Sequence, residues 1–412
     1  MKFEAPRGTN DVLPAQQPLW QRVGDEADRL CTSYGYRRIV TPIFEDTALF
    51  TRTSGQGSDV VQKEMYTFTD RGDRSLTLRP EGTAPVARAY VEHGLHREPQ
   101  PVKTFMIGSM YRYTAPQRGK FREFWQLNVE AMGTDDPAID AEVIQLFAEL
   151  MRRLGIEGWW VELNSIGDRA CRPAYVEQLT AWLDKHASEL DEDTLAKRRT
   201  TPLRVFDNMA QKPEAVQAAL ADAPKIGESL CAECEQHFAA VRRYLDACGV
   251  EYRLTPTLVR GLDYYTRTTF EFMGEALGAA SSLCGGGRYD YLIEEIGGPP
   301  TPAIGFASGI ERVVLSLTEQ GTEEAAPDVE VFFAVEDDSA RPEVLAAMAE
   351  LRRSGRAADT DYAGRSLKGQ LTQAGRLGAR TTVIARGDGV TVRRAGEQDV
   401  EYSSLGEALA TL

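Results

Sequence analysis

Residues 105–133, FMIGSMYRYTAPQRGKFREFWQLNVEAMG, do most to restrict the fold. Two extended runs flank Pro116–Gly119, the pattern of a β-hairpin. On the second run Leu127, Val129 and Ala131 alternate with Gln126, Asn128 and Glu130. A period of two sends these sets to opposite faces, so the hairpin predicts an antiparallel sheet with one apolar face. The other face carries two amides and a carboxylate, and is either ordinary wet surface or the floor of a polar site. The turn between the runs carries Arg112, Arg118, Lys120 and Arg122 in a chain of formal net charge −15. A surface turn needs no such density of positive charge.

At 412 residues the chain exceeds what one core usually supports, and two or three domains are expected. Leu19, Val23, Ala27 and Leu30 are spaced for an amphipathic helix over 15–34. An extended run follows from Arg37 to Ile43, broken by Pro42. SLTLRP reads as a strand, APVARAYVEHGL as a helix, 138–154 as a second helix and 159–164 as a strand. From about 170 to 248 the pattern is helical and polar; strands resume at 251–259 and 267–273, and a helix starts near Gly309. GTEEAAPD looks like a linker. Beyond it VEVFFAV, PEVLAAMAELRRSG, GQLTQAGRLGA and TTVIAR alternate strand with helix, an α/β unit with its own core. The expected architecture is α+β: a discontinuous core (1–169 and 249–322), a helical insertion (170–248), a linker (323–327) and an α/β domain (328–412).

No apolar run approaches the ~18–20 residues that span a bilayer. The opening MKFEAPRGTNDVLP has no apolar signal core, and the six cysteines are scattered, so reduced thiols and a cytoplasmic location are expected. The acidic balance argues against a surface coated with nucleic acid. Between Arg352 and Arg394, however, ten Lys or Arg face three acids, a local net charge of +7. That run is either a solvated helix face or an RNA-binding patch. CAEC at 231–234 has metal-ligand spacing but no second pair placed to complete a tetrahedron, and is read as chance. The four histidines form no cluster with acids or thiols, so histidine acid–base chemistry is not expected.

Four segments place polar residues where packing does not ask for them. In TLRPEGTAPVAR, Thr83 is a reasonable helix N-cap, whereas Glu81, at the end of a strand, is suited to receive an ammonium group. In the hairpin, Arg112 matches phosphate through its planar fork, while Glu130 repels phosphate and suits a cation. Opposite preferences at close range point to substrates of opposite charge. LVRGLDYYTRTTFEF offers Arg260, Tyr264 and Tyr265, and the nearby GGGR (285–288) reads as a Gly-rich turn that lets a backbone approach a ligand. It has neither P-loop nor Rossmann spacing. In AIGFASGIERVVL, Arg312 lies on the first turn of a helix, where a positive charge is unfavourable unless an anion sits beside it.

Together these segments resemble the class II aminoacyl-tRNA synthetases, and within them the histidyl-tRNA synthetase family. The resemblance runs from APRGTNDVLP through LRPEGTAPVARAY, the hairpin, LVRGLDYYTRT and CGGGRYDYLIEEIGG to AIGFASGIERVVL, and continues into GRSLKGQLTQAGRLGA. It implies an antiparallel catalytic sheet flanked by helices, a C-terminal anticodon-binding domain, and a homodimer held through the first helix and the strand ending at Pro42. It implies that L-histidine is activated with ATP and Mg²⁺ and transferred to tRNA(His). By position, Arg112 resembles the family's α-phosphate arginine, Arg312 its γ-phosphate arginine, and Arg260 the arginine beside the reacting phosphate and carboxylate. Glu81, Gly82, Thr83, Gln126, Glu130, Arg260, Tyr264 and Tyr265 fall on its histidine pocket, and no metal ligand is assigned among the side chains. The family usually has a glutamate two positions after Arg112; this chain has Thr114, followed by Ala115. A second reading stays open: a histidine-binding regulatory subunit of ATP phosphoribosyltransferase that does not aminoacylate.

Overall fold

The computed structural model describes residues 2–53, 60–207, 209, 212–275, 281–323, 329–394 and 396–412. The chain divides into two compact units, Met1–Leu13 with Leu19–Glu323, and Pro14–Pro18 with Glu324–Leu412. Beyond Glu323, the linker expected at 323–327 falls outside the described residues.

Helix α1 (Gln17–Ser33) turns Val23, Ala27, Leu30 and Cys31 into the main core, as its spacing predicts. The extended run after it is shorter than expected: β1 (Arg37–Arg38), then β2 (Phe44–Asp46) beyond Pro42. The carbonyls of Thr41 and Pro42 accept from the Arg79 guanidinium at 2.9 and 3.3 Å, so they are unavailable to a strand ladder. Helix α2 (Thr47–Thr53) precedes β3 (Tyr66–Thr69) and β4 (Ser75–Leu78), which form a small antiparallel sheet ordered β2-β4-β3. Next come α3 (Thr83–Glu92), the hairpin strands β5 (Val102–Tyr111) and β6 (Glu123–Met132), α4 (Pro137–Leu154) and β7 (Trp159–Ser165).

Helices α5 (Arg172–Lys185), α6 (Glu192–Thr200), α7 (Glu214–Ala221) and α8 (Ala232–Ala247) fill the expected insertion. Among the described residues they have no separate core. Tyr175, Leu179, Leu183, Val216 and Leu220 share a cluster with Met106, Met110, Tyr264 and Tyr265, while Val241 and Leu245 join the core around α4. The chain then returns through β8 (Tyr252–Leu254), β9 (Thr266–Gly274), β10 (Ser281–Arg288), α9 (Leu292–Glu295), β11 (Ala303–Gly309) and α10 (Ile310–Glu319).

The main sheet has eight strands ordered β1-β5-β6-β11-β10-β9-β7-β8. Its outermost pairs, β1 with β5 and β7 with β8, are parallel, and the pairs between are antiparallel. Leu127, Val129 and Ala131 face the core beneath α1 and α4, where Phe147 packs edge-on against Phe272 and Phe306 at 4.8 and 5.3 Å. The opposite side of β6 is dry as well: Gln126, Asn128 and Glu130 are 6%, 0% and 1% exposed. That excludes the wet-surface reading, because buried polar groups must be answered by partners or ligands.

The second unit holds a five-stranded sheet ordered β13-β12-β14-β15-β16, with β12 (Val331–Val335), β13 (Ala358–Thr360), β14 (Thr381–Ala385), β15 (Val390–Arg394) and β16 (Val400–Tyr402). Helices α11 (Arg341–Arg353), α12 (Leu367–Arg376) and α13 (Leu405–Leu409) complete it. Strand β12, buried throughout and parallel to both neighbours, sends Phe333 and Val335 to one hydrophobic cluster and Phe332 and Ala334 to another. Helices therefore cover both faces, as in α/β units.

Candidate active site

The site forms where the polar face of β6 meets the N-terminus of α3. Gly82, not Thr83, occupies the N-cap position and makes no side-chain cap. Glu81 does the capping instead, its carboxylate accepting from the Thr83 and Ala84 amides at 2.7 and 2.9 Å. Gly82 lies so close over Asn128 that a Cβ there would stand 2.5 Å from that amide. Thr83 is thereby freed to donate to Glu130 Oε1 at 2.6 Å, and Tyr289 donates to Glu130 Oε2. Burial, opposed by these two hydroxyls and reinforced by the charge of Glu81, pushes the Glu130 pKa up to about 8. Burial likewise raises Glu81, against its two amide bonds and the charge of Arg112. Two buried carboxylates without a full complement of cations create a demand for positive charge.

Beside them lies a cavity of about 270 Å³ lined by Glu81, Thr83, Arg112, Gln126, Arg260, Tyr264, Tyr265 and Arg312, among others. Gln126 Oε1 is buried there with no partner. Tyr264 and Tyr265 are buried against one another at 4.6 Å, and Tyr264 meets Tyr289 edge-on at 5.7 Å. Glu130 and Gly82 stand behind this lining, not on it.

The basic loop divides by role. Register pairs Tyr111 with Glu123, so the connection runs over 112–122 and is longer than the Pro116–Gly119 turn. Arg118 is taken by an ion pair with Glu319, and Arg122 stacks over Tyr113 at 3.9 Å while donating to the Thr114 carbonyl. Arg112 and Lys120 line the cavity. Arg112 donates Nε to the Pro80 carbonyl at 2.6 Å and lies 5.5 Å from the Phe124 ring centre. Arg312, on α10, donates to the carbonyls of Gly119 (3.1 Å) and Ser282. Burial, aided by the charge of Arg112, lowers its pKa. Arginines brought this close in a partly dry cavity favour an anion between them.

Arg260 enters from the far side. Burial works against its charge, but the Glu271 carboxylate at 2.8 Å overrides that and holds its pKa above the ordinary value. Its Nε is buried without a partner. The GGGR segment is not a turn: it is the C-terminal half of β10. Its first glycine leaves room for Arg260 itself, since a Cβ on Gly285 would stand 1.9 Å from the guanidinium. Gly305 on β11 does the same for Glu130, whose Oε2 would be 1.8 Å from a Cβ there. The glycines thus admit the protein's own charged side chains.

The sequence and overall fold of this chain are similar to those of known proteins. Residues 8–313 match the family model described as histidyl-tRNA synthetase. The chain belongs to the histidyl-tRNA synthetase family. Histidine–tRNA ligase of Moorella thermoacetica is 48% identical over 409 residues, covering 97% of this chain and 96% of that protein. The same-named protein of Desulforamulus reducens is 47% identical over 401 residues, 95% of each chain. The structure of apo S. aureus histidyl-tRNA synthetase matches with a TM-score of 0.83 at 36% identity, covering 100% of this chain and 99% of that one. A Bacillus halodurans C structure titled as an ATP phosphoribosyltransferase regulatory subunit/histidyl-tRNA synthetase shares the fold, with a TM-score of 0.67 at 24% identity.

For this member of the histidyl-tRNA synthetase family, sequence reasoning missed Tyr289, Glu271, Glu311 and Arg79. Tyr289 follows GGGR directly, and Glu271 lies two pleats beyond Thr269 on β9, so both were within quoted motifs. Glu311 accepts from the Trp125 amide at 2.8 Å, and burial pushes its pKa up to about 7. His237 lies 3.6 Å from Asp140 but away from the cavity, and burial, with Arg288 and Arg267, lowers it to about 4.

The expectation that nothing is placed to complete a set with CAEC is corrected. Asp168 and Cys171 meet Cys231 and Cys234 with all four ligand atoms within 4.8 Å of one another. The missing half of the set is a cysteine and an aspartate from across the insertion, a combination that a search for a second CxxC overlooks.

Proposed function

We propose that this chain is a histidine–tRNA ligase that activates L-histidine with ATP and transfers it to the 3′ end of tRNA(His). One observation carries the reading: a single cavity joins buried carboxylates (Glu81, backed by Glu130) to three arginines, Arg112, Arg260 and Arg312. That pairing suits a substrate couple in which one member is cationic and the other polyanionic.

In this reading Glu81, Thr83, Gln126, Glu130, Tyr264 and Tyr265 receive the ammonium and imidazole of histidine, with Gly82 bringing the backbone close. Arg260 faces the histidine carboxylate and the innermost phosphate; Arg112 holds the same phosphate, and Arg312 the outermost. The carboxylate attacks the α-phosphorus in line and pyrophosphate leaves. Two anions must approach, so charge shielding and alignment supply most of the rate. Glu311, which lines the cavity and whose Oε2 is buried without a partner among the described residues, is the carboxylate that would hold Mg²⁺ on the nucleotide, while Glu271 is engaged by Arg260. The bound ion supplies further neutralisation of phosphate charge. The terminal adenosine hydroxyl of the tRNA then attacks the adenylate carbonyl, releasing AMP. Thr114, buried beside this cleft, leaves no carboxylate at that position for the adenine.

The assigned domains follow: residues 1–169 and 249–322 for catalysis, 170–248 against the tRNA acceptor stem, and 328–412, with its +7 run, against the anticodon arm. A homodimer is supported by exposed apolar residues around Pro42: Val40 is 77% exposed, Ile43 and Phe44 46%, and Phe68 43%. All six cysteines are free, and no helix among the described residues is long and apolar enough to cross a membrane, which supports a cytoplasmic enzyme.

The test is histidine-dependent exchange of pyrophosphate into ATP, followed by charging of tRNA(His). A regulatory subunit binds histidine without either activity. Exchange without histidine, or histidine binding without exchange, overturns the ligase reading.

A further inference from the structure

We propose that Asp168, Cys171, Cys231 and Cys234 form a tetrahedral zinc site that pins together the two ends of the inserted segment. The sulfurs of Cys171 and Cys234 are 3.9 Å apart, and the Cys171 sulfur is 3.7 Å from Asp168 Oδ1. A tetrahedron with ordinary zinc–sulfur and zinc–oxygen bonds has edges of about 3.5–3.8 Å. The remaining separations, none above 4.8 Å, close to that range by small side-chain rotations.

The surroundings are shaped to this purpose. Gly167, at φ +61°, leaves space for the Cys171 sulfur, which would lie 2.5 Å from a Cβ there. The Asp168 amide points at the same sulfur at 3.4 Å. Arg267, itself held at a left-handed φ of +47°, donates Nε and Nη2 to Asp168 Oδ2 at 3.4 and 3.3 Å, and so orients the other oxygen toward the sulfurs. Oδ1 also accepts from the Ala170 amide at 2.9 Å. Asp168, Cys171 and Cys234 are buried, so the set is closed to solvent except beside Cys231.

Three thiolates and one carboxylate select a borderline-soft ion over calcium or magnesium, and four protein ligands leave no open position for catalysis. Binding releases the thiol protons to solvent. The resulting centre has net charge −2, which Arg267 halves. Cys171 precedes α5 and Cys234 lies in the first turn of α8, so the ion closes a loop whose ends lie 63 residues apart. Such closure removes conformations from the unfolded chain. It also fixes Arg172, which donates to the Tyr265 carbonyl at 2.6 Å, and Arg267, two residues beyond that tyrosine.

The full chain, purified under reducing conditions, is incubated with Zn²⁺, desalted and analysed for metal. One zinc per chain is expected, falling to near zero in the double variant Cys231→Ser/Cys234→Ser and staying at one in Cys248→Ser, whose cysteine is exposed. Should the double variant fail to fold, the wild-type protein loaded with Co²⁺ decides: sulfur-to-cobalt charge transfer with intense tetrahedral ligand-field bands is expected. No retained zinc, a cobalt spectrum without thiolate bands, or a Cys171–Cys234 disulfide in the reduced preparation overturns the proposal.

Discussion

Glu130 shows how much of the site is settled by single residues. Its pKa stands at about 8 against an ordinary 4.5, chiefly because it is buried. The folded protein therefore keeps a proton that the unfolded chain surrenders. The stability tied to this group is complete below pH 4.5 and is lost as pH rises through 8. Melting curves across that window should slope downward more steeply in the wild type than in Glu130→Gln; parallel curves would contradict the assignment. Gly285 offers a second test. The three atoms nearest a methyl group there all belong to the movable end of Arg260, so Gly285→Ala should fold yet lose ~10²–10³-fold in adenylation, the cost of losing an aligned donor. Arg260→Ala should lose a similar factor with little change in histidine affinity. Equal activity of Gly285→Ala and wild type would free Arg260 from its proposed place. At this scale the sequence was partly legible. The alternation of Gln126, Asn128 and Glu130 announced a polar face, but Tyr289, 159 residues from Glu130, became its partner only through the pairing of β6 with β11 and β10.

Among the elements, those with strong periodicity were readable: α1, α4, β6 and the alternating units after 329. What failed were short edge strands and backbone whose hydrogen bonds go to side chains. The segment 39–43 has strand composition, yet Arg79 takes its carbonyls. Three consecutive glycines ordinarily mark a turn, whereas in β10 they accept Arg260, Phe270 and Tyr265 against the backbone. Helix α3 carries a prediction of its own, because one residue both caps it and faces the cavity. Glu81→Ala removes the acceptor of two amides and should cost ~1–2 kcal/mol in stability. Glu81→Gln retains a carbonyl oxygen for the cap but not the charge, and should cost less while raising the KM for histidine at least ~10-fold. Thermal melts beside exchange kinetics separate the two effects; equal loss of stability in both variants would refute the capping role.

For the whole molecule, composition and linker chemistry predict a division near 323; the compact units divide after Glu323, but Pro14–Pro18 group with the second, which no sequence signal announces. The apolar stripe of α1 was equally visible, but its destination was not: Val23, Ala27 and Leu30 are consumed by the chain's own core. Exposed apolar surface on which the proposed dimer could close lies around Phe44 and Phe68, whose rings meet edge-on at 6.3 Å while each is nearly half exposed. Phe44→Glu/Phe68→Glu should shift sedimentation from dimer to monomer, and an unchanged sedimentation coefficient would place the subunit contact elsewhere. Of the inserted helices, α5 and α7 rest on the same apolar cluster as Tyr264 and Tyr265. On the proposed function, RNA docked on those helices would bear on the tyrosines through this packing, and whatever factor RNA docking then adds to histidine retention, histidine must return to RNA docking.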